Sequence, residues 1–220
     1  MTRLLLTLSA LIILSSQALA APVWPHVGEL LHDLISPTKI MVCPDGSGPP
    51  LSEARANGAV VDATIQVKLV DNYGDPIYMF PPEDLWLQFE VGEGTALACF
   101  NNASYPGGIF NADAATDSDG WTRFSQPLQG GGWSDASVTI YVAGYPALDP
   151  DENPHSPLPL GIVSPDINGD LVVGLSDIAH FVNDLMYPGE ASHRSDFNND
   201  SVINLSDVAL MAQGIGTSCE

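Results

Sequence analysis

Basic side chains are scarce in this 220-residue chain: six Lys and Arg stand against 27 Asp and Glu, a formal net charge of −21. Such a polyanion is not expected to recognise nucleic acid or to settle on anionic lipid, because both need a cationic face. Cysteine is almost as sparse. Cys43, Cys99 and Cys219 form no CxxC pair and have no nearby histidine partner, so a zinc site built on them is not expected. There is no nucleophile elbow, no HExxH, no Walker loop and no glycine-rich dinucleotide turn. His155 and His180 each stand alone. Carboxylates are numerous enough to supply a glycosidase pair, but a catalytic module made of short half-polar strands would be unusual, and the expectation is a non-enzyme.

Long apolar runs are also missing, with one exception. Residues 1–20, MTRLLLTLSALIILSSQALA, carry a basic Arg3, an apolar run and Ala18-Leu19-Ala20 before Ala21. That is the layout of a secretory signal peptide, and the run is too short for a membrane anchor. No Cys follows closely, as a lipoprotein would require. The expected product is secreted, extracellular or on the cell surface, with no membrane insertion after cleavage. Loss of Arg3 would leave it at −22. Its hydrophobic content, 45%, is too high for a disordered chain.

What the chain does contain is a duplicated acidic loop. DINGDLVVGLSD at 166–177 and DFNNDSVINLSD at 196–207 align without gaps. Positions 1, 3, 5 and 12 are Asp166/Asp196, Asn168/Asn198, Asp170/Asp200 and Asp177/Asp207. Side-chain oxygens at alternate positions of a tight loop, closed by a carboxylate at position 12, suit a hard cation with many oxygen ligands. The main-chain carbonyls of Val172 and Val202 fall at position 7, where an EF-hand loop supplies a backbone oxygen. Asn204 adds an oxygen at position 9 of the second loop, where the first has Gly174. Position 8, Val173 and Ile203, is apolar in both, as expected if the loops pair through a short strand. From 166–179 against 196–209, eight of fourteen residues are identical, and charge alone would not repeat in this register.

Each loop runs into a helical pattern: Leu175, Ile178, Phe181, Val182 and Leu185, then Leu205, Val208, Met211, Ala212 and Ile215. Spacings of three and four give one apolar stripe per helix, so the halves are expected to pack face to face about a pseudo-twofold axis. This arrangement resembles the dockerin family, whose module is two calcium loops each followed by one helix. The resemblance covers 166–215, and Asp at position 12 is what dockerins use. It implies two calcium ions, held by Asp166, Asn168, Asp170, the Val172 carbonyl and Asp177, and by Asp196, Asn198, Asp200, the Val202 carbonyl, Asn204 and Asp207. Three departures from the family pattern matter. Position 6, usually Gly, is Leu171 or Ser201; position 9 is Gly174 in the first copy; positions 10 and 11, often Ser-Thr on the cohesin-recognition surface, are Leu175-Ser176 and Leu205-Ser206. Leu171 and Gly174 make the first site the weaker expectation, and a cohesin-like partner is less clearly implied than calcium.

Ahead of the loops, PVWPHVGELLHDLISP at 22–37 places Val27, Leu30, Leu31, Leu34 and Ile35 as a short amphipathic helix ending before Pro37. From 38 to 163 the period changes to two, as in 63–69, 85–91 and 138–142, with turns such as NYGDP and DSDG between. About seven strands in such a stretch suggest a β-sandwich. VDATIQVKLVDNYGDPI at 61–77 and TDSDGWTRFS at 116–125 resemble bacterial Ig-like domains of the invasin/intimin kind. The expected architecture is therefore a mainly-β Ig-like sandwich over 38–163, preceded by segment 21–37. A small all-α calcium module over 164–215 and a tail at 216–220 follow, with no linker between sandwich and module. Of three possible disulfides, Cys43–Cys99 is favoured because both lie in the first mature domain, leaving Cys219 to clamp the tail or pair between molecules. Functionally, the chain reads as a calcium-binding structural or interaction protein of an extracellular or cell-surface assembly. The alternatives are a polysaccharide-binding module stacking sugars on Trp86, Trp121, Tyr78 and Tyr141, and a cohesin-binding component of a polysaccharide-degrading complex.

Overall fold

The computed structural model describes residues 24–89, 96–99, 109–135, 137–147, 157–187 and 189–219; the leader and His155 lie outside these. Within them the protein is mainly β. In chain order the strands are β1 His26–Leu31, β2 Thr38–Met41, β3 Ala54–Ala56, β4 Ala59–Val61, β5 Ile65–Val70, β6 Leu85–Phe89, β7 Leu97–Ala98, β8 Phe110–Asn111, β9 Trp121–Phe124, β10 Gly130–Gly131, β11 Val138–Val142, β12 Tyr145–Pro146 and β13 Leu160–Val163. Two α-helices follow, α1 Leu175–Met186 and α2 Leu205–Gly214. The strands form sheets ordered β1-β5-β9, β7-β10, β12-β11-β6-β8 and β13-β2-β3-β4.

The alternating patterns explain the first core. On β5, Ile65, Val67 and Leu69 point inward. On β6 and β11 the directly opposed pairs Leu85↔Val142, Leu87↔Ile140 and Phe89↔Val138 are all buried. Burying such side chains is worth about 25 cal/mol per Å² of apolar surface, and cross-strand apolar pairing adds a few tenths of a kcal/mol each.

The β2–β13 pair does something different. These strands run parallel, and every residue of both is buried. Ile40, Val42, Leu160 and Ile162 face the first core, whereas Met41, Cys43 and Val163 face a second. A strand covered on both faces divides its side chains between two layers. Ile167, Val173, Phe181, Phe197 and Met211 complete the second core. The helix pair is thus built directly onto the far side of one sheet.

Four expectations need correction. Within the segment expected to be a helix at 22–37, of which 22 and 23 lie outside the described residues, His26–Leu31 is strand β1, paired antiparallel with β5 through a bulge between Val27 and Glu29. A helix this short is marginal alone and would carry Gly28 in its interior, whereas β5 offers a ready ladder. The described residues of 38–163 also form twelve strands, β2 to β13, several only two residues long, where about seven were expected. The disulfide is Cys99–Cys219, not Cys43–Cys99, and Cys43 is a buried free thiol in the second core. The reason lies in the fourth correction, the loop pairing. Val173 does not pair with Ile203 but with the tail: its amide donates to Thr217 O (3.0 Å), and its carbonyl accepts from Gly216 N (3.0 Å). Cys219 N then donates to Leu171 O (3.2 Å), which carries Cys219 to Cys99.

The helices turn out to be seated by a narrower face than the stripes suggest. Asp177, Phe181 and Asp184 are buried on α1, and Asp207, Met211 and Gly214 on α2. Phe181 stacks on Phe197 with ring centroids 5.7 Å apart. Leu175 and Leu205, at the head of each expected stripe, are 85% and 83% exposed. With one helix per repeat, a sheet strand and the loops themselves close the core, so the outer half of each stripe has nothing left to cover it.

Candidate metal centre

Leu171 and Ser201, the sixth positions, adopt left-handed φ values of 66° and 69°. That turn folds each loop back on its first carboxylate. Asp166 Oδ1 accepts from Asp170 N (3.1 Å) and Oδ2 from Leu171 N (2.8 Å); Asp196 does the same with Asp200 N (3.0 Å) and Ser201 N (2.8 Å). Asn168 and Asn198 accept from the amides of Asp170 and Asp200 at 2.8 and 3.0 Å. Asp170 and Asp200 accept from Val172 N and Val202 N at 3.0 and 2.9 Å. Closure at position 12 is also duplicated. Asp177 accepts from Asn168 N and Gly174 N, and Asp207 from Asn198 N and Asn204 N. The two copies thus share this set of bonds, though not every bond: Gly169 N donates to Asp166 Oδ1, whereas Asn199 N donates to the Asp196 carbonyl.

In the first loop, one carboxylate oxygen from each of Asp166, Asp170 and Asp177 lies within 4.8 Å of the others. Oxygens that share one calcium ion, at 2.3–2.6 Å from it, lie no more than about 5 Å apart. The donor set is hard oxygen throughout, so these residues fit calcium. Asp166 and Asp177 are buried while Asp170 faces solvent, which leaves one open side for entry. Electrostatics point the same way. Burial, with the neighbouring charges of Asp177 and Asp170, pushes the Asp166 carboxyl up to about 6, against the lowering effect of the Leu171 and Asp170 amides. Burial also raises Asp207. A bound cation would relieve both effects.

One of the two reasons for ranking the first site lower loses its force. The left-handed turn is made by a non-glycine residue in each loop, so Leu171 carries no penalty that Ser201 escapes in kind. Asn204 Oδ1 accepts from Ser206 N at 2.8 Å, capping α2, and its Nδ2 donates to Val202 O at 3.1 Å. Its oxygen caps the helix and, like the Asn168 and Asn198 oxygens that accept from Asp170 N and Asp200 N, keeps a second lone pair for a cation, so the oxygen absent at Gly174 still separates the two loops.

Sequence reasoning missed what stands behind the loops. The Asp166 carboxylate lies against Gly131 so closely that a Cβ there would be 1.9 Å from its Oδ2, and Asp166 O accepts from Gly132 N at 2.7 Å. In the second loop Asn199 reaches Pro37 and Arg55. The GGG at 130–132 looks like a simple turn in the sequence; no local signal marks it as the floor of a distant loop.

The aromatic candidates do not gather into one platform. Trp86 is only 4% exposed and stacks on Tyr141 at 5.5 Å, while Tyr78 is exposed elsewhere. Trp121 lines an open cleft of about 470 Å³ with Gln66, Asp113, Asp117, Arg123 and Gln126. No protein-family model matches this chain, and no curated protein matches it.

Proposed function

We propose that this is a secreted, non-catalytic structural protein in which two calcium ions organise a dockerin-like helix pair against an Ig-like β body, for use in an extracellular or cell-surface assembly. The observation that carries the reading is the convergence of Asp166, Asp170 and Asp177 within 4.8 Å, on a loop whose hydrogen-bond pattern recurs at 196–207. Calcium supplies charge neutralisation and a coordination shell; the chain supplies the carboxylates, the amide side chains and the carbonyls of Val172 and Val202 at the matching positions. Extracellular calcium modules work at affinities of about 10⁻⁴ to 10⁻³ M, so weak binding suffices. Titration calorimetry of the metal-stripped mature chain should register two calcium ions; no uptake at millimolar calcium would end this reading. The exposed Leu175 and Leu205 lie where the family resemblance places a cohesin-like partner, and calcium-dependent capture by a cohesin domain tests that extension.

The cleft at Trp121 favours a second activity for the β body, saccharide binding. Its wall alternates donors (Arg123), acceptors (Asp117) and amides (Gln66, Gln126) beside one indole, over which Lys68 Nζ sits at 5.9 Å. Hydroxyl-rich rings need that mixture of polar partners and one apolar face. Affinity electrophoresis in gels holding xylan, cellulose derivatives or mannan should show retardation that Trp121→Ala abolishes and Trp24→Ala does not. Equal mobility in every gel would reject it.

A further inference from the structure

We infer that the two loops are also the joint that seats the helix pair on the sheets, so that calcium occupancy sets how firmly the β3–β4 hairpin is held, with Asn199 as the positioning residue. This rests on the calcium reading above.

Asn199 is the fourth residue of the second loop, between the expected ligands Asn198 and Asp200. It is 7% exposed and has a left-handed φ of 52°. Its Nδ2 donates to Pro37 O (3.1 Å) and Arg55 O (3.0 Å), and its carbonyl accepts from Gly58 N (2.7 Å). One residue thus makes three hydrogen bonds to the turn before β2 and to the β3–β4 hairpin. Its counterpart in the first loop, Gly169, has φ 72° and no side chain. The loop turn therefore does not require asparagine; the amide serves the joint.

Expected ligands also abut the β body directly. A Cβ on Gly58 would lie 3.0 Å from Asp200 Cβ, and one on Gly131 would overlap the Asp166 carboxylate. Each aspartate thus packs against a glycine of the β body with little room for a side chain there, so a shift of either bears on the backbone at Gly58 or Gly131. Metal-free, the clustered carboxylates of the first loop repel one another and favour loosening. Metal-bound, the ligand positions are pinned and the joint with them. By linkage the coupling is reciprocal: what the docked hairpin does for calcium affinity, calcium does for the hairpin.

Amide hydrogen exchange on the full mature chain, metal-stripped and at saturating calcium, tests this together with calorimetry. Calcium should slow exchange at Gly58 and through 59–61 by about tenfold, within the range of ordinary site-to-site coupling. Asn199→Gly keeps the turn and the backbone bond but removes both side-chain bonds. It should weaken calcium uptake at the second loop by about five- to tenfold, leave the first loop unchanged, and cut the calcium effect on the hairpin. Calcium uptake by the unaltered chain with identical hairpin exchange in both conditions would overturn the joint while leaving the calcium reading intact. Absence of any uptake would overturn the calcium reading itself. Because the first comparison needs no variant, it stands even if Asn199→Gly folds poorly.

Discussion

Cys219 is bonded to Cys99 across 120 residues, with Cα atoms 5.7 Å apart, while its own amide donates to Leu171 O of the first loop. The tail therefore ties the first loop to the β body covalently as well as by hydrogen bonds. In the chain-entropy model, closing a loop of this length contributes up to about 5 kcal/mol. Cys219→Ser should lower the stability of the oxidised protein by several kcal/mol in urea unfolding. Alkylation of the denatured, unreduced protein should label Cys43 and neither of the other two cysteines. Label on Cys219 would place the bond elsewhere.

At the metal loops, Asp170 belongs to the converging carboxylates and Asp200 occupies the equivalent position of the second copy. Leu171 and Ser201 share the left-handed turn, and the convergence of three carboxylates in the first loop offsets the oxygen it lacks at Gly174. Asp170→Ala should cost at least as much calcium affinity as Asp200→Ala, each removing one uptake event in calorimetry. A selectively larger loss from Asp200→Ala would restore the opposite ranking.

Gly131 offers a test of the loop's backing. Its absent Cβ leaves the space in which Asp166 Oδ2 sits. Gly131→Ala should displace that carboxylate, weakening uptake at the first loop about tenfold or more and destabilising the fold by about 1–3 kcal/mol through overpacking. Gly174→Ala, where a Cβ meets nothing within 4 Å, is the control and should leave uptake unchanged. Equal effects of the two would mean that the floor at Gly131 is not what holds Asp166.

The parts legible in the sequence are those with local periodicity. The period-two runs at 65–69, 85–89 and 138–142 are strands, and the loop repeat carries its hydrogen-bond pattern with it. What failed did so for nonlocal reasons. Val27, Leu30 and Leu31 fit a helix or a strand equally, and the β5 ladder decides. The disulfide depended on where the tail runs, which only the Val173–Thr217 pairing reveals. Of the helix stripes only Phe181, Met211 and in part Ile178 are covered, because Met41, Cys43 and Val163 fill the inner side; Leu175, Val182, Leu205, Val208 and Ile215 stay outside. Asn199 carries no sequence signal because its partners, Pro37 and Arg55, are remote in the chain.

Asp184 on α1 is buried and receives Arg194 Nε at 2.8 Å, Arg194 Nη2 at 3.0 Å and Ser195 Oγ at 2.7 Å. Burial raises its carboxyl pKa, but these hydrogen bonds and the guanidinium charge outweigh it and hold the group below its ordinary 3.8. A carboxylate depressed in the folded state stabilises the protein above its unfolded pKa, and that contribution is lost as pH falls through the folded value. In the unaltered protein this carboxyl's contribution should thus be complete at pH 7 and fade only below about pH 4. Arg194→Ala leaves the buried carboxylate with Ser195 and Asn183 but without its cation; breaking a fully buried pair costs about 3–5 kcal/mol, and with the Arg194 side chain 21% exposed the loss should fall below that. In that variant only the Ser195 and Asn183 hydrogen bonds still oppose burial, so the Asp184 carboxyl should rise and take up a proton before the unaltered protein does. The stability gap between the two proteins should therefore be widest at pH 7 and narrow steadily toward pH 4. Adding Asp184→Asn to the variant should recover part of the loss at pH 7 and little at pH 4. Urea unfolding at both pH values measures all four quantities; a gap that stays constant with pH would mean that Arg194 acts by packing its side chain and not by its charge.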